Sequence, residues 1–184
     1  MLKVAIIVVD MLKGNISANS PYRRIIPNIQ RLLSSARERG MPVIFANDSF
    51  MPGDFLFKSK MKPHCLRGTE GEQVIDELKL YDCDIIVPKR RLSAFFRTDL
   101  DITLRTLKVE TIAVCGITTP GCVLTTVFDG FSNDFMVIVL EDCCAAAKQQ
   151  HHEAIVNILR KMPLAPLLSV MGSDEFLESY VSHE

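Results

Sequence analysis

Five short apolar runs, rich in β-branched residues and without polar alternation, punctuate this chain at residues 4–9, 42–46, 84–87, 111–115 and 135–140. A strand with one wet face alternates polar and apolar side chains, whereas a strand covered on both faces does not. Between the runs, residues 25–39, 72–78, 100–107, 123–131 and 152–161 carry apolar side chains at helical spacing. A weaker strand at 166–170 precedes a last helix from Ser173, whose side chain, ahead of Asp174 and Glu175, reads as an N-cap. This alternation predicts an α/β fold of three layers, α/β/α, around a mostly parallel sheet with right-handed crossovers. No repeat, linker or low-complexity tract interrupts the 184 residues, so a single domain over 1–184 is expected.

In such sheets ligands gather beyond the carboxyl ends of the strands. The first run ends in Asp10, the third in Pro88-Lys89, and the fourth leads through GITTPGC, residues 116–122, into a predicted helix. An acid, a cation and the Cys122 thiol thus share one edge. The segment 47–71 leaves the second strand at the same edge, placed to wall a pocket. A thiol at a helix start faces unpaired N–H groups and the positive end of the macrodipole, and a nearby ammonium lowers its pKa further toward the attacking thiolate. Asp10 is suited to take the thiol proton and return it to a leaving amine. The Cys122 backbone N–H is a candidate oxyanion donor, and Gly116 and Gly121 would let the turn approach a substrate closely. Plainer readings stand beside these: Cys122 as a small core hydrophobe, Asp10 as a cap or turn residue, Lys89 as a surface lysine.

The formal net charge of −1 gives no broad basic field for nucleic acid, and the first run reaches Asp10 too soon to span a membrane. Six cysteines form no C-x-x-C pair, and no signal peptide is recognised, so free thiols in a reducing cytoplasm are expected. The adjacent Cys143 and Cys144 read as two packed thiols. His151-His152-Glu153 lacks the later histidine of a zinc-protease helix and reads as a helix cap.

Taken together, IIVVDML, NDSF…PHCLRGTEGEQVIDEL, IIVPKRRLSAFFRTDLDITLR and IAVCGITTPGCVLTTVFDGFSNDFMVIVLEDCCAA resemble the isochorismatase-like cysteine hydrolase superfamily, which includes nicotinamidases, N-carbamoylsarcosine amidases and isochorismatases. The resemblance covers residues 3–161. It implies a six-stranded sheet of order 3-2-1-4-5-6 and a catalytic triad of Asp10, Lys89 and Cys122. It also implies a non-proline cis peptide between Ile117 and Thr118, which would set the Thr118 N–H beside that of Cys122 as an oxyanion hole. Because the third strand lies two places from the first, the chain after Pro88 is expected to bend back for Lys89 to reach Cys122.

The resemblance further implies a substrate pocket with Asp48, Phe50, His64 and Ile117. Nicotinamidases hold a metal through an Asp-x-His pair and a later His; here the matching positions are Asp48, Phe50 and His64, and phenylalanine ligates nothing. Asp48 and His64 alone are too few for a firm zinc or other divalent site, so they are expected to bond each other or substrate, with Phe50 as apolar wall. No cofactor is required on this reading. The function implied is a cysteine-dependent amidohydrolase cleaving a small amide or N-carbamoyl C–N bond through a thioester. Vinyl-ether hydrolysis of the isochorismatase type, and a non-catalytic redox-sensing module, are the alternatives. Arg90, Arg91 and Arg97 either attract a substrate carboxylate or pair with Asp99 and Asp101. Relatives imply a homodimer or tetramer. The stripe Phe176, Leu177, Tyr180 and Val181 packs on its own sheet or on a neighbour.

Overall fold

Strand formation follows the unalternating runs closely. The computed structural model describes residues 3–179. Its strands are β1 (Val4–Val9), β2 (Val43–Asp48), β3 (Ile85–Lys89), β4 (Thr111–Ile117), β5 (Met136–Ala145) and β6 (Leu168–Met171). They form one sheet of order β3-β2-β1-β4-β5-β6, and every neighbouring pair is parallel. Every residue of β1, β2 and β4 is buried, as strands covered on both faces must be.

The helices are α1 (Ile26–Glu38), α2 (Leu100–Thr106), α3 (Leu124–Ser132), α4 (Gln149–Lys161) and α5 (Ser173–Ser179). Helix α1 buries Ile26, Ile29, Leu32, Leu33 and Ala36 on one stripe. It stops at Gly40, whose φ of +65° lets the Met41 N–H reach back to the Ala36 carbonyl at 2.9 Å. The chain moves outward one way from β1 and the other way from β4. Right-handed crossovers therefore put α1 on one face and α3 and α4 on the other, and the reversal opens a crevice between β1 and β4.

The predicted helix at 72–78 does not form. Its place holds two short 3-10 turns, Glu70–Glu72 and Asp76–Leu78, joined by extended backbone. The reason is a competing partner: the Lys13 N–H donates to the Gln73 carbonyl, the Ile75 N–H to the Met11 carbonyl, and Leu12 bridges Val74. Without a helix there, edge strand β3 lies beside an open cleft of about 800 Å³, with Ile86 52% exposed. Pro88 is tolerated in β3 because an edge strand need not offer every N–H to a neighbour.

Strand β5 runs five residues past its predicted end and buries Cys143 and Cys144, both free thiols. The Ser173 N–H and hydroxyl both donate to the Asp142 carboxylate, at 2.7 and 2.6 Å. Phe176 is buried and Leu177 packs against the core, while Tyr180 and Val181 lie outside the described residues. No described helix is long and apolar enough to cross a membrane.

Candidate active site

Four elements deliver side chains to one point at the carboxyl edge of the sheet. Asp10 follows β1 with φ at +55° and is 2% exposed. Its Oδ1 accepts from the Asp48 N–H at 2.8 Å, which fixes the carboxylate and turns Oδ2 inward. Asp48 ends β2, and Lys89 ends β3 directly opposite it in register. The Lys89 ammonium lies 2.8 Å from Asp10 Oδ2, 2.5 Å from Asp48 Oδ1 and 3.5 Å from Cys122 Sγ, and it donates to the Arg91 carbonyl at 3.2 Å. Ligand atoms of Asp10, Asp48 and Cys122 lie within 4.8 Å of one another. The expected bend of the chain after Pro88 is not what brings the ammonium in: Lys89 keeps its strand pairing opposite Asp48, and its side chain makes the reach.

Cys122 sits in a turn built for close quarters. Strand β4 ends at Ile117, the Ile117–Thr118 peptide is cis, and a π-helical turn, Thr119–Val123, leads into α3. A Cβ on Gly121 would meet Thr118 Oγ1 at 2.7 Å. Gly116 serves a purpose different from the one expected. At φ +112°, its Cβ position lies 2.1 Å from the Val9 carbonyl oxygen, so glycine lets β4 approach the β1 backbone and not a substrate.

The electrostatics overturn one expectation. Cys122 was expected to rest as a thiolate, but its pKa is pushed well above the ordinary thiol value by burial first and by Asp10 next, with Lys89 opposing. One ammonium is already shared by two carboxylates, so little positive potential is left for a third anion. Burial and the Asp10 charge likewise push Asp48 up to about 7 against the pull of Lys89. Burial alone would lower the Lys89 pKa, yet the carboxylates beside it, Asp10 ahead of Asp48, outweigh burial and hold the ammonium charged. Asp10 Oδ2 has an ion-pair contact with Lys89 but no well-directed hydrogen bond, which leaves a lone pair open toward the thiol side.

The remaining predicted positions fall out differently. Asp48 and His64 do not bond each other: Asp48 is engaged by Lys89, and His64 Nδ1 lies 2.9 Å from the Lys62 carbonyl. The His64 ring meets Phe50 and Phe57 edge-on, at 5.4 and 6.1 Å between centroids. Phe50 is 1% exposed and so acts as packing beneath this loop. With one carboxylate spoken for, one ring nitrogen on a carbonyl and an apolar third position, Asp48, Phe50 and His64 do not fit a metal. The alternative trio of Asp10, Asp48 and Cys122 has the right donors, but the Lys89 ammonium stands among them as the cation.

Three features escaped the sequence reading. His152 does not cap α4; it is buried on that helix, with Nδ1 2.9 Å from Thr119 Oγ1 in the cysteine turn. The Thr126 hydroxyl accepts from the Ala94 N–H at 3.0 Å, tying the segment after β3 to α3. Asp54, buried at 3% exposure, gathers Arg90 and Arg91, so these arginines pair with neither Asp99 nor Asp101. Asp101 instead meets Arg105, and Arg97 lies over the Phe96 ring. None of the three had a readable signal, since each bonds to a partner at least 32 residues away in sequence.

The Isochorismatase domain family matches residues 4–170. The chain is 32% identical over 153 residues to the ureidoacrylate amidohydrolase RutB of Serratia proteamaculans, a match covering 72% of this chain and 60% of that protein's length. An isochorismatase-like hydrolase from Alkaliphilus metalliredigens superposes with a TM-score of 0.89 at 30% identity, covering 97% of this chain and 99% of that one. N-carbamoylsarcosine amidase from Thermoplasma acidophilum superposes with a TM-score of 0.83 at 27% identity, covering 94% and 98%.

Proposed function

The chain belongs to the isochorismatase domain family, and from that premise we propose that it is a cysteine-dependent amidohydrolase acting on a small amide or N-carbamoyl C–N bond. The observation that carries the reading is the Lys89 ammonium, which joins two buried carboxylates and lies 3.5 Å from a thiol at the strand ends beside the β1/β4 crevice.

Because the resting sulfur keeps its proton, deprotonation accompanies attack. As Cys122 Sγ forms its bond to the carbonyl carbon, Asp10 Oδ2 takes the thiol proton. The carbonyl oxygen gains charge and faces the backbone N–H groups of Thr118 and Cys122 as donors. Collapse breaks the C–N bond, and Asp10 gives its proton to the departing nitrogen. Asp10 then takes a proton from water, which attacks the thioester; the C–S bond breaks, and Asp10 returns that proton to the departing Cys122 sulfur. Lys89 holds Asp10 in place and keeps its charge balanced through both halves. Asp48 orients Lys89, while Ile117, expected in the substrate pocket, is buried in the core at the end of β4. None of these steps calls for a metal or cofactor.

The similarity to RutB and to N-carbamoylsarcosine amidase supports ureido compounds and primary amides as the first compounds to try. Ammonia release from such a set, wild type against Cys122→Ala, tests the reading. Loss on the order of a thousandfold or more is expected; turnover that survives the substitution removes Cys122 from the chemistry.

A further inference from the structure

An ammonium has three N–H bonds to place, and Lys89 has three oxygen partners for them. Two are charged, Asp10 Oδ2 at 2.8 Å and Asp48 Oδ1 at 2.5 Å; the third is neutral, the Arg91 carbonyl at 3.2 Å. Cys122 Sγ lies 3.5 Å from the same nitrogen. The carboxylates stand at the ends of β1 and β2, where the sheet fixes them. The Arg91 carbonyl has no such support, since residues 90–99 run between β3 and α2 without helix or strand. Most bonds in this segment are local. Ser93 Oγ accepts from the Phe95 N–H at 3.1 Å, and the Thr98 hydroxyl donates to the Ala94 carbonyl. Arg90 and Arg91 reach Asp54 through long side chains, which secure their heads and not their backbone.

The bond to Thr126 differs in kind, because it fixes the backbone from outside. The Ala94 N–H donates to Thr126 Oγ1 at 3.0 Å, and both residues are fully buried. Thr126 lies on α3 four residues after Cys122, about one helical turn on. The element that follows the thiol therefore also holds the segment that meets the lysine. We propose that Thr126 is a positioning residue for Lys89: its hydroxyl holds the Ala94 N–H, the held segment presents the Arg91 carbonyl, and that carbonyl steadies the ammonium beside the Cys122 sulfur. Without the hydroxyl, the Ala94 N–H is buried with no acceptor, a costly state that the backbone relieves by shifting. The Arg91 carbonyl shifts with it. An ammonium left with two charged acceptors settles onto them, and the sulfur loses the cation that favours its thiolate. The inference rests on the amidohydrolase reading for its effect on turnover, and on these contacts alone for its effect on the sulfur.

Thr126→Val keeps the shape of the side chain and removes the acceptor, while Thr126→Ser keeps the acceptor. Alkylation of Cys122 by iodoacetamide, followed by peptide mass spectrometry, needs no substrate. At neutral pH it is expected to run about tenfold slower in Thr126→Val, the effect of about one unit in a thiol pKa, and to recover in Thr126→Ser. A turn that had only loosened would expose Cys122 and react faster, so the direction separates positioning from packing. On any amide that the wild type hydrolyses, kcat should fall about tenfold at similar KM and recover with serine. Should Thr126→Val fold poorly, Thr126→Ala is read against Thr126→Ser on the same two measures. Faster or unchanged alkylation, no recovery with serine, or a native fold in neither deletion variant overturns the assignment. Slower alkylation restored by serine, with no ammonia released from any amide by the wild type, would remove the hydrolase reading and leave the positioning role standing. Amide turnover that Thr126→Val retains in full would do the reverse.

Discussion

The buried cluster and the arginine cleft use the same ingredients in opposite proportion. In the first, two carboxylates and a thiol surround one ammonium in a setting nearly closed to water. In the second, Arg90 and Arg91 meet the one carboxylate of Asp54 beside an exposed cleft that they line with Arg67 and Arg97. The acids respond accordingly. Asp48 is pushed up to about 7, chiefly by burial and then by the Asp10 charge, whereas hydrogen bonds from Arg90 hold Asp54 down at about 2. Both carboxylates are nearly inaccessible; the balance of charges and hydrogen bonds around each decides where its proton goes.

Removing the ammonium strikes the comparison hardest. Lys89→Met leaves two buried carboxylates without a counter-charge, and a stability loss of about 3–5 kcal/mol is expected from denaturant melts, with activity gone. A variant as stable as the wild type would mean that the cluster is not held by its charge pairing.

Asp48→Asn sharpens the same point through pH. The folded state holds the Asp48 proton more tightly than the unfolded chain, so wild-type stability should fall as pH rises from 3.8 through about 7. The slope is at most about 1.4 kcal/mol per pH unit, and it should flatten in the variant. With one anion fewer, Cys122 should also react faster with iodoacetamide at neutral pH, read by peptide mass spectrometry. Thermal melts across pH that superpose for the two proteins would contradict the raised Asp48.

His152→Leu strips the Thr119 hydroxyl of its buried partner. A loss of about 1–3 kcal/mol is expected, together with a lower kcat at similar KM, because the turn carrying Cys122 loses a support that substrate does not touch. An unchanged kcat would confine His152 to packing. Asp54→Asn should do least, about 0.5–1 kcal/mol, since its arginines can turn to water. Denaturant melts of the variant beside the wild type read the difference.

The fold was legible because burial on both faces of a parallel sheet leaves its mark in uninterrupted β-branched runs, as in VAIIVV of β1. Asp10, Lys89 and Cys122 could be picked out because each follows such a run or its turn. The protonation of Cys122 could not be read, since it depends on how many acids share one lysine, and the part played by Asp48 appears only when β2 and β3 are set in register. The false helix at 72–78 carried helical spacing, but backbone pairing with residues 11–13 won. His152 and Asp54 left no mark because their partners, Thr119 and the arginine pair, lie 33 and at least 36 residues away.

Lys89 lies on the outermost strand, gripped from one side only. Were β3 to slide by a single residue, its facing would invert: proline would turn toward the crevice and the amine toward solvent. Such a strand is among the first parts of a sheet to work loose on warming. Turnover should therefore fade at temperatures where the inner strands are still intact, so that inactivation precedes melting and begins at the rim.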